Sequence, residues 1–295
     1  MQPRPYLIFS GDVPLSARIY RNTDDITERQ PAVIVTGSWL TVKEQMADLY
    51  ARRLADRGYT AFTFDFSGFG ESGGSPRQAE IPARKIADIT AAARSVAGLS
   101  FVRPGSVGYL AVCASAQYAL RAIAEGAAVT SFVSVAGWYH DTASVAPFYG
   151  GMDGVTERIN RARVAFDDFL QSGAVRTVPA YENGNDRAGM FFELDYYASP
   201  ERGAVPEWRN EMAEFSWLYW LTLDGLSPAA RVAVPSLLVH GDECVLPDNA
   251  RSVQRRLTGP SELIWATGTQ TDFYDQPEQV DLAVEEADRH FRETL

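Results

Sequence analysis

Along the chain, short apolar runs alternate with longer segments in which apolar residues recur every three or four positions. The first pattern predicts strands and the second predicts helices. Residues 15–22 (LSARIYRN) read as an antiparallel strand, and AVIVTG (32–37) has the unbroken apolar character of a strand buried on both faces. Residues 41–56 predict a helix with Val42, Met46, Leu49 and Tyr50 on one side and Gly58 just past its end. The alternation continues through TAFTFDF (60–66), a helix over 83–99, GSVGYLAV (105–112), a helix over 115–126 and TSFVSVAG (130–137). It breaks over 141–228 and resumes with PSLLVHGD (235–242), a helix over 247–257, SELIWAT (261–267) and a terminal helix.

Strand–helix alternation of this kind gives an α/β fold: a mostly parallel sheet flanked by helices. Residues 1–140 and 229–295 are expected to form that core, with 141–228 as an inserted cap. The insertion holds fourteen aromatic residues in under a third of the chain. Such rings either pack the insertion onto the sheet or line a substrate pocket beneath it, and both can hold at once.

Composition narrows the chemistry. At 295 residues, 46% hydrophobic and 22% charged, the chain can bury a large core and is not expected to be disordered. A net charge of −11 argues against a nucleic-acid partner, which needs a basic face. No apolar run approaches the ~20 residues of a membrane span, and the start of the chain lacks a signal-peptide pattern, so a cytoplasmic location is expected. Two cysteines, Cys113 and Cys244, make no disulfide framework. The histidines His140, His240 and His290 form no cluster at metal-ligand spacing, so no metal is expected. The only lysines, Lys43 and Lys85, lie in predicted helices, which disfavours a Schiff-base cofactor; no cofactor is expected.

Two motifs remain. Gly68-Phe69-Gly70-Glu71-Ser72-Gly73 matches a dinucleotide-binding string, but Gly74-Ser75-Pro76 follow where a helix should begin, so that reading fails. The second motif is Ala111-Val112-Cys113-Ala114-Ser115-Ala116-Gln117, at the junction of a strand and a helix. A nucleophile elbow there needs small residues two places before and after the nucleophile. Cys113 has Ala111 and Ser115 in those places; Ser115 would have Cys113 and the bulkier Gln117. Cys113 is therefore the favoured nucleophile, against the alternative of a small buried thiol with no chemistry.

AVIVTGSW, FDFSGFGESGG, YLAVCASAQYAL and LLVHGDECVLPDN, in that order, resemble the α/β-hydrolase fold, and the elbow cysteine resembles its dienelactone-hydrolase branch. The resemblance implies a cap inserted after the sixth strand. It also implies an oxyanion hole built from the backbone N–H of Ala114 and of Ser38 or Trp39. The usual order of nucleophile, acid and histidine is not met. The late loop that should carry the histidine reads Ala266-Thr267-Gly268-Thr269-Gln270-Thr271, with Gln270 at the expected place. A glutamine amide holds hydrogen bonds but shuttles no proton near neutral pH. The acid position, three residues past Gly241, is Cys244, so Asp242 or Glu243 could serve only through a shifted loop.

His140 follows the strand TSFVSVAG, at the sheet edge where ligands gather, and is the candidate base; His240 reads as packed within its strand. Trp138, Tyr139, Gln270 and Tyr274 are candidate pocket residues. A thiol at a helix N-terminus is expected to ionise more readily than a free one. The resulting expectation is an acyl hydrolase or acyltransferase acting on activated esters, thioesters or lactones of a small apolar or aromatic acyl substrate. Two alternatives stand beside it: a hydrolase fold that only binds a ligand, and non-hydrolytic acid–base chemistry by Tyr274 and His140 on a small metabolite.

Overall fold

A computed structural model describes residues 2–295. The described residues form ten strands: β1 (Arg4–Ser10), β2 (Val13–Tyr20), β3 (Gln30–Thr36), β4 (Thr60–Phe64), β5 (Val102–Val112), β6 (Ser131–Val135), β7 (Thr177–Val178), β8 (Met212–Ala213), β9 (Ser236–His240) and β10 (Ser261–Trp265). Eight make one sheet in the order β1-β2-β4-β3-β5-β6-β9-β10, while β7 and β8 pair as a short ribbon of their own. From β4 to β10 the strands of the large sheet run parallel; β2 is antiparallel to both β1 and β4. The central strands β3, β4, β6 and β9 are buried almost throughout, because helices cover both faces.

The principal helices are α1 (Met46–Asp56), α2 (Pro82–Ala97), α3 (Ser115–Ala124), α8 (Pro247–Arg256) and α10 (Pro277–Thr294); between β6 and β9 lie α4 (Thr142–Val145), α5 (Gly151–Ser172), α6 (Asp195–Ala198) and α7 (Trp217–Trp220), and the single turn α9 (Asp272–Asp275) precedes α10. Among the described residues, no helix is long and apolar enough to cross a membrane.

Two local expectations are corrected. The first helix begins at Met46 rather than at 41. Residues before it are held in a turn, with the Gln45 side chain accepting the Val42 N–H at 2.9 Å and Asp65 accepting the Lys43 N–H at 2.8 Å. Lys43 is thus a loop residue, and its buried ammonium sits 2.7 Å from both Asp65 and Glu71. Strand β1 was not expected at all. It is an edge strand in which Tyr6 and Ile8 turn inward while the apolar Leu7 and Phe9 face outward, so the alternation of its burial does not show in its residue types.

The insertion has its own internal order. Phe166 and Phe169 of α5 pack on Phe215 to give a small satellite core. The buried carboxylate of Glu214 forms an ion pair with Arg176 at 2.6 Å and accepts a hydrogen bond from Arg187 at 2.8 Å. Arg158 lies buried among Tyr149, Phe191 and Trp217, its guanidinium donating to the Tyr149 and Asp186 carbonyls.

Candidate active site

The site grows from the C-terminal ends of β3, β5 and β6. Cys113 follows β5 directly and adopts φ +58°, the left-handed region that costs a non-glycine residue of the order of 1–3 kcal/mol. The neighbouring backbone holds it there. Its N–H donates to Val135 at 3.1 Å, and its carbonyl accepts from Ala116 at 3.0 Å and from Trp138 at 2.9 Å. Ser115, the competing nucleophile, is buried in the first turn of α3 with its hydroxyl 3.1 Å from the Thr36 and Val112 carbonyls. The geometry of an elbow therefore belongs to Cys113.

Opposite the elbow, the loop after β3 carries Ser38 and Trp39. Gly37 permits its path: a Cβ there would come within 2.7 Å of the Met46 sulfur. The Ser38 N–H points to that same sulfur at 3.4 Å, which removes it as an oxyanion donor. The Trp39 and Ala114 N–H groups act instead on the Cys113 sulfur, together with the Ser38 and Tyr274 hydroxyls. All four favour the thiolate, yet burial outweighs them and pushes the Cys113 thiol up. The expectation of a readily ionised thiol is thereby reversed: desolvation beats the helix N-terminus.

The sulfur faces a cavity enclosing about 550 Å³ of empty space, its mouth included. Trp39, Trp138, Phe148, Phe192 and Trp220 form much of its wall, with Met190 and Leu194. Trp39 stacks on Trp220 at 4.3 Å between ring centres, and Trp138 lies 5.6 Å from the same ring. The insertion therefore supplies pocket walls as well as its own packing. Among the side chains lining the cavity, only Cys113 and the tyrosines Tyr149, Tyr197 and Tyr274 can titrate. Burial raises all three phenols, so they stay neutral. No cluster of residues suited to a metal ion occurs among the described residues.

The other expected residues divide. Trp138, Gln270 and Tyr274 line the cavity, but Tyr139 does not; its ring packs against Gly137 and its hydroxyl is sealed in the interior. His140 is corrected as a base. Its Nδ1 accepts the Trp138 indole N–H at 2.7 Å, so Nε2 carries the proton and donates to the Trp220 carbonyl at 2.8 Å. With both nitrogens engaged and burial lowering it to about 4, the ring is a neutral structural bridge and does not line the cavity. Asp242 and Glu243 are also corrected: both are exposed, and Asp242 pairs with Arg251 at 3.0 Å on the surface. The position of the usual acid is held by Cys244, buried, with its thiol pushed up to about 12.

Gln270 occupies the relay position with every polar atom used. Its Oε1 accepts the Val245 N–H at 3.0 Å, and its Nε2 donates to the Ala136 carbonyl at 2.8 Å and to the Tyr274 hydroxyl at 3.1 Å. Tyr197, which sequence reasoning missed, reaches in from α6 and donates to the Ser38 hydroxyl at 3.0 Å. Nothing in the periodicity of the insertion distinguishes it from its neighbour Tyr196.

No family model matches the chain. It is 27% identical over 280 residues to the uncharacterized protein PA2218 of Pseudomonas aeruginosa, spanning 91% of this chain and 74% of the relative. The crystal structure of that protein superposes with a TM-score of 0.82 at 23% identity, over 100% of this chain and 94% of the other. A polyketide transferase of Penicillium crustosum, claH, is 25% identical over 265 residues, 86% of this chain and 85% of the relative. The α/β hydrolase GrgF from Penicillium sp. sh18 superposes with a TM-score of 0.79 at 16% identity, over 99% of both chains. The chain has the α/β-hydrolase fold.

Proposed function

We propose that this protein is a thiol-dependent acyl-transfer enzyme acting on ester-type bonds of a small apolar or aromatic acyl substrate. In this reading Cys113 attacks the carbonyl carbon, and the Trp39 and Ala114 N–H groups receive the charge that develops on its oxygen. Each such donor is commonly worth about 3 kcal/mol in the transition state. One observation carries the reading: a strained cysteine at the head of α3 faces an aromatic cavity, beside the backbone N–H groups of Trp39 and Ala114, which favour its thiolate. The Penicillium relative, named as a polyketide transferase, supports the same class of reaction.

A raised thiol and the absence of a base limit the substrates. Leaving groups must depart without strong acid catalysis, which favours thioesters and activated esters over amides. The test is release of thiol or phenol from a panel of aryl and alkyl thioesters and aryl esters, followed by intact-protein mass measurement. Turnover and a covalent acyl adduct should appear with the native protein and Ser115→Ala, and vanish with Cys113→Ala. Equal inertness of native protein and Cys113→Ala across the panel, with saturable ligand binding, would instead identify a binding protein on this fold.

A further inference from the structure

The hydrogen-bond inventory around Gln270 leaves only one sense in which it can be read. The Val245 N–H fixes Oε1 as the accepting end of the amide. Its Nε2 must then donate, once to the Ala136 carbonyl and once to the Tyr274 oxygen. A phenol oxygen that accepts from an amide keeps its own proton for a different partner. Two groups can take it: the Ser38 hydroxyl, 3.3 Å away, which also receives the Tyr197 proton, and the Cys113 sulfur, which lines the same cavity. Gln270 thus leaves the phenol proton free on the cavity side, beside the reacting atom, at the place where hydrolases of this fold keep an imidazole.

We propose that Tyr274, oriented by Gln270, is the proton carrier of this site, and that the acyl group loaded on Cys113 is passed to a thiol or an amine rather than to water. The proposal rests on the thiol-nucleophile reading above. On loading, the Cys113 sulfur bonds to the carbonyl carbon as the carbon–sulfur bond of the thioester breaks. The Cys113 proton moves to the free lone pair of the Tyr274 oxygen while the Tyr274 proton moves to the departing sulfur. A free thiol leaves and the tyrosine ends as it began. Unloading reverses the exchange: the acceptor sulfur or nitrogen bonds to the carbonyl carbon, the bond to Cys113 breaks, and the acceptor proton reaches Cys113 through Tyr274.

Water is disfavoured by the same inventory. It is a weak nucleophile and needs a base that takes its proton as it attacks, a contribution of roughly 10²–10⁴-fold. No carboxylate or histidine lines the cavity, and the tyrosines there are held neutral. Thiols and amines need that help least.

The test uses the S-phenyl and S-ethyl thioesters of phenylacetic acid with the full chain. One equivalent of thiophenol should be released in a burst, leaving a phenylacetyl adduct on Cys113. In buffer that adduct should persist; 2-aminoethanethiol or benzylamine should discharge it about 100-fold faster, giving the new thioester or amide. Tyr274→Phe should slow both substrates, because the Cys113 proton loses its acceptor, but should slow the S-ethyl substrate about 100-fold more than the S-phenyl one, since only the poorer leaving group also needs a proton. A merely structural tyrosine would slow both equally, which would overturn the assignment. An adduct that decays in plain buffer as fast as with acceptor would overturn the exclusion of water. The pair Gln270→His and Cys244→Asp, made together, should shorten the lifetime of the adduct in water, and an unchanged lifetime in the folded double variant counts against the proposal. Absence of any adduct sinks the thiol reading itself, and is thereby told apart from failure of the proton assignment.

Discussion

The two sides of the Cys113 sulfur differ in kind. On one side lie a left-handed elbow, the head of α3 and the Trp39 and Ala114 N–H groups, the parts that the proposed attack would use. On the proton side, imidazole and carboxylate give way to Gln270 and Cys244, and the polar groups nearest the sulfur become hydroxyls. Backbone makes the first side, so a side-chain change alters it only by displacing the chain itself. Side chains make the second, so it can be rebuilt by a few substitutions. The comparison teaches that stabilising a developing oxyanion and moving a proton are separable tasks on one scaffold.

Ordered by effect on acylation, five substitutions probe that contrast. Gly37→Ala drives a methyl into the Met46 sulfur and displaces the loop that carries the Trp39 N–H. Loss of one oxyanion donor predicts a rate about 100-fold lower with an activated aryl thioester, in a protein that still folds by circular dichroism. Tyr197→Phe removes one hydrogen bond to Ser38, worth about 1 kcal/mol, and should cost about fivefold in the same assay.

His140→Gln should change the acylation rate by no more than about threefold, since the ring reaches no reacting atom. Its effect appears in stability instead. Burial lowers the folded pKa to about 4 from 6.5, so the unfolded chain takes up the proton first as pH falls. The native protein should therefore lose up to about 3 kcal/mol between pH 6.5 and 4, and denaturant melts of His140→Gln should show a shallower slope in that window. Asp242→Asn and Glu243→Gln should change neither rate nor stability measurably, both side chains being in solvent. A tenfold loss with either would revive a carboxylate partner for the site.

Much of this was legible in the residues. Most of the parallel strands are legible because β3, β4, β6 and β9 are buried on both faces and so read as apolar runs; β10, at the edge of the sheet, is only partly covered. The register of the elbow followed from size alone, Ala111 and Ser115 against Gln117. What stayed hidden depends on three-dimensional partners. His140 looked available because its position at the end of β6 is an active-site position; only the Trp138 indole and the Trp220 carbonyl, eighty residues away in the chain, reveal that its nitrogens are spent. The ionisation of Cys113 was misjudged for a similar reason. A helix N-terminus is visible in sequence, but much of the aromatic wall that desolvates the sulfur arrives from the insertion. Tyr197 comes from that same stretch, where loops and single turns leave no period to read.

The bonds that fasten the insertion to the sheet reach beyond packing. The Trp208 indole donates to the Leu40 carbonyl at 2.8 Å, and Gln45 donates to the Gly203 carbonyl at 2.6 Å, so both ties land on the loop that bears Trp39. In the proposed reaction these two bonds would couple the roof over the cavity to the Trp39 N–H, so the seating of a guest and the alignment of that donor would be set by the same anchor points.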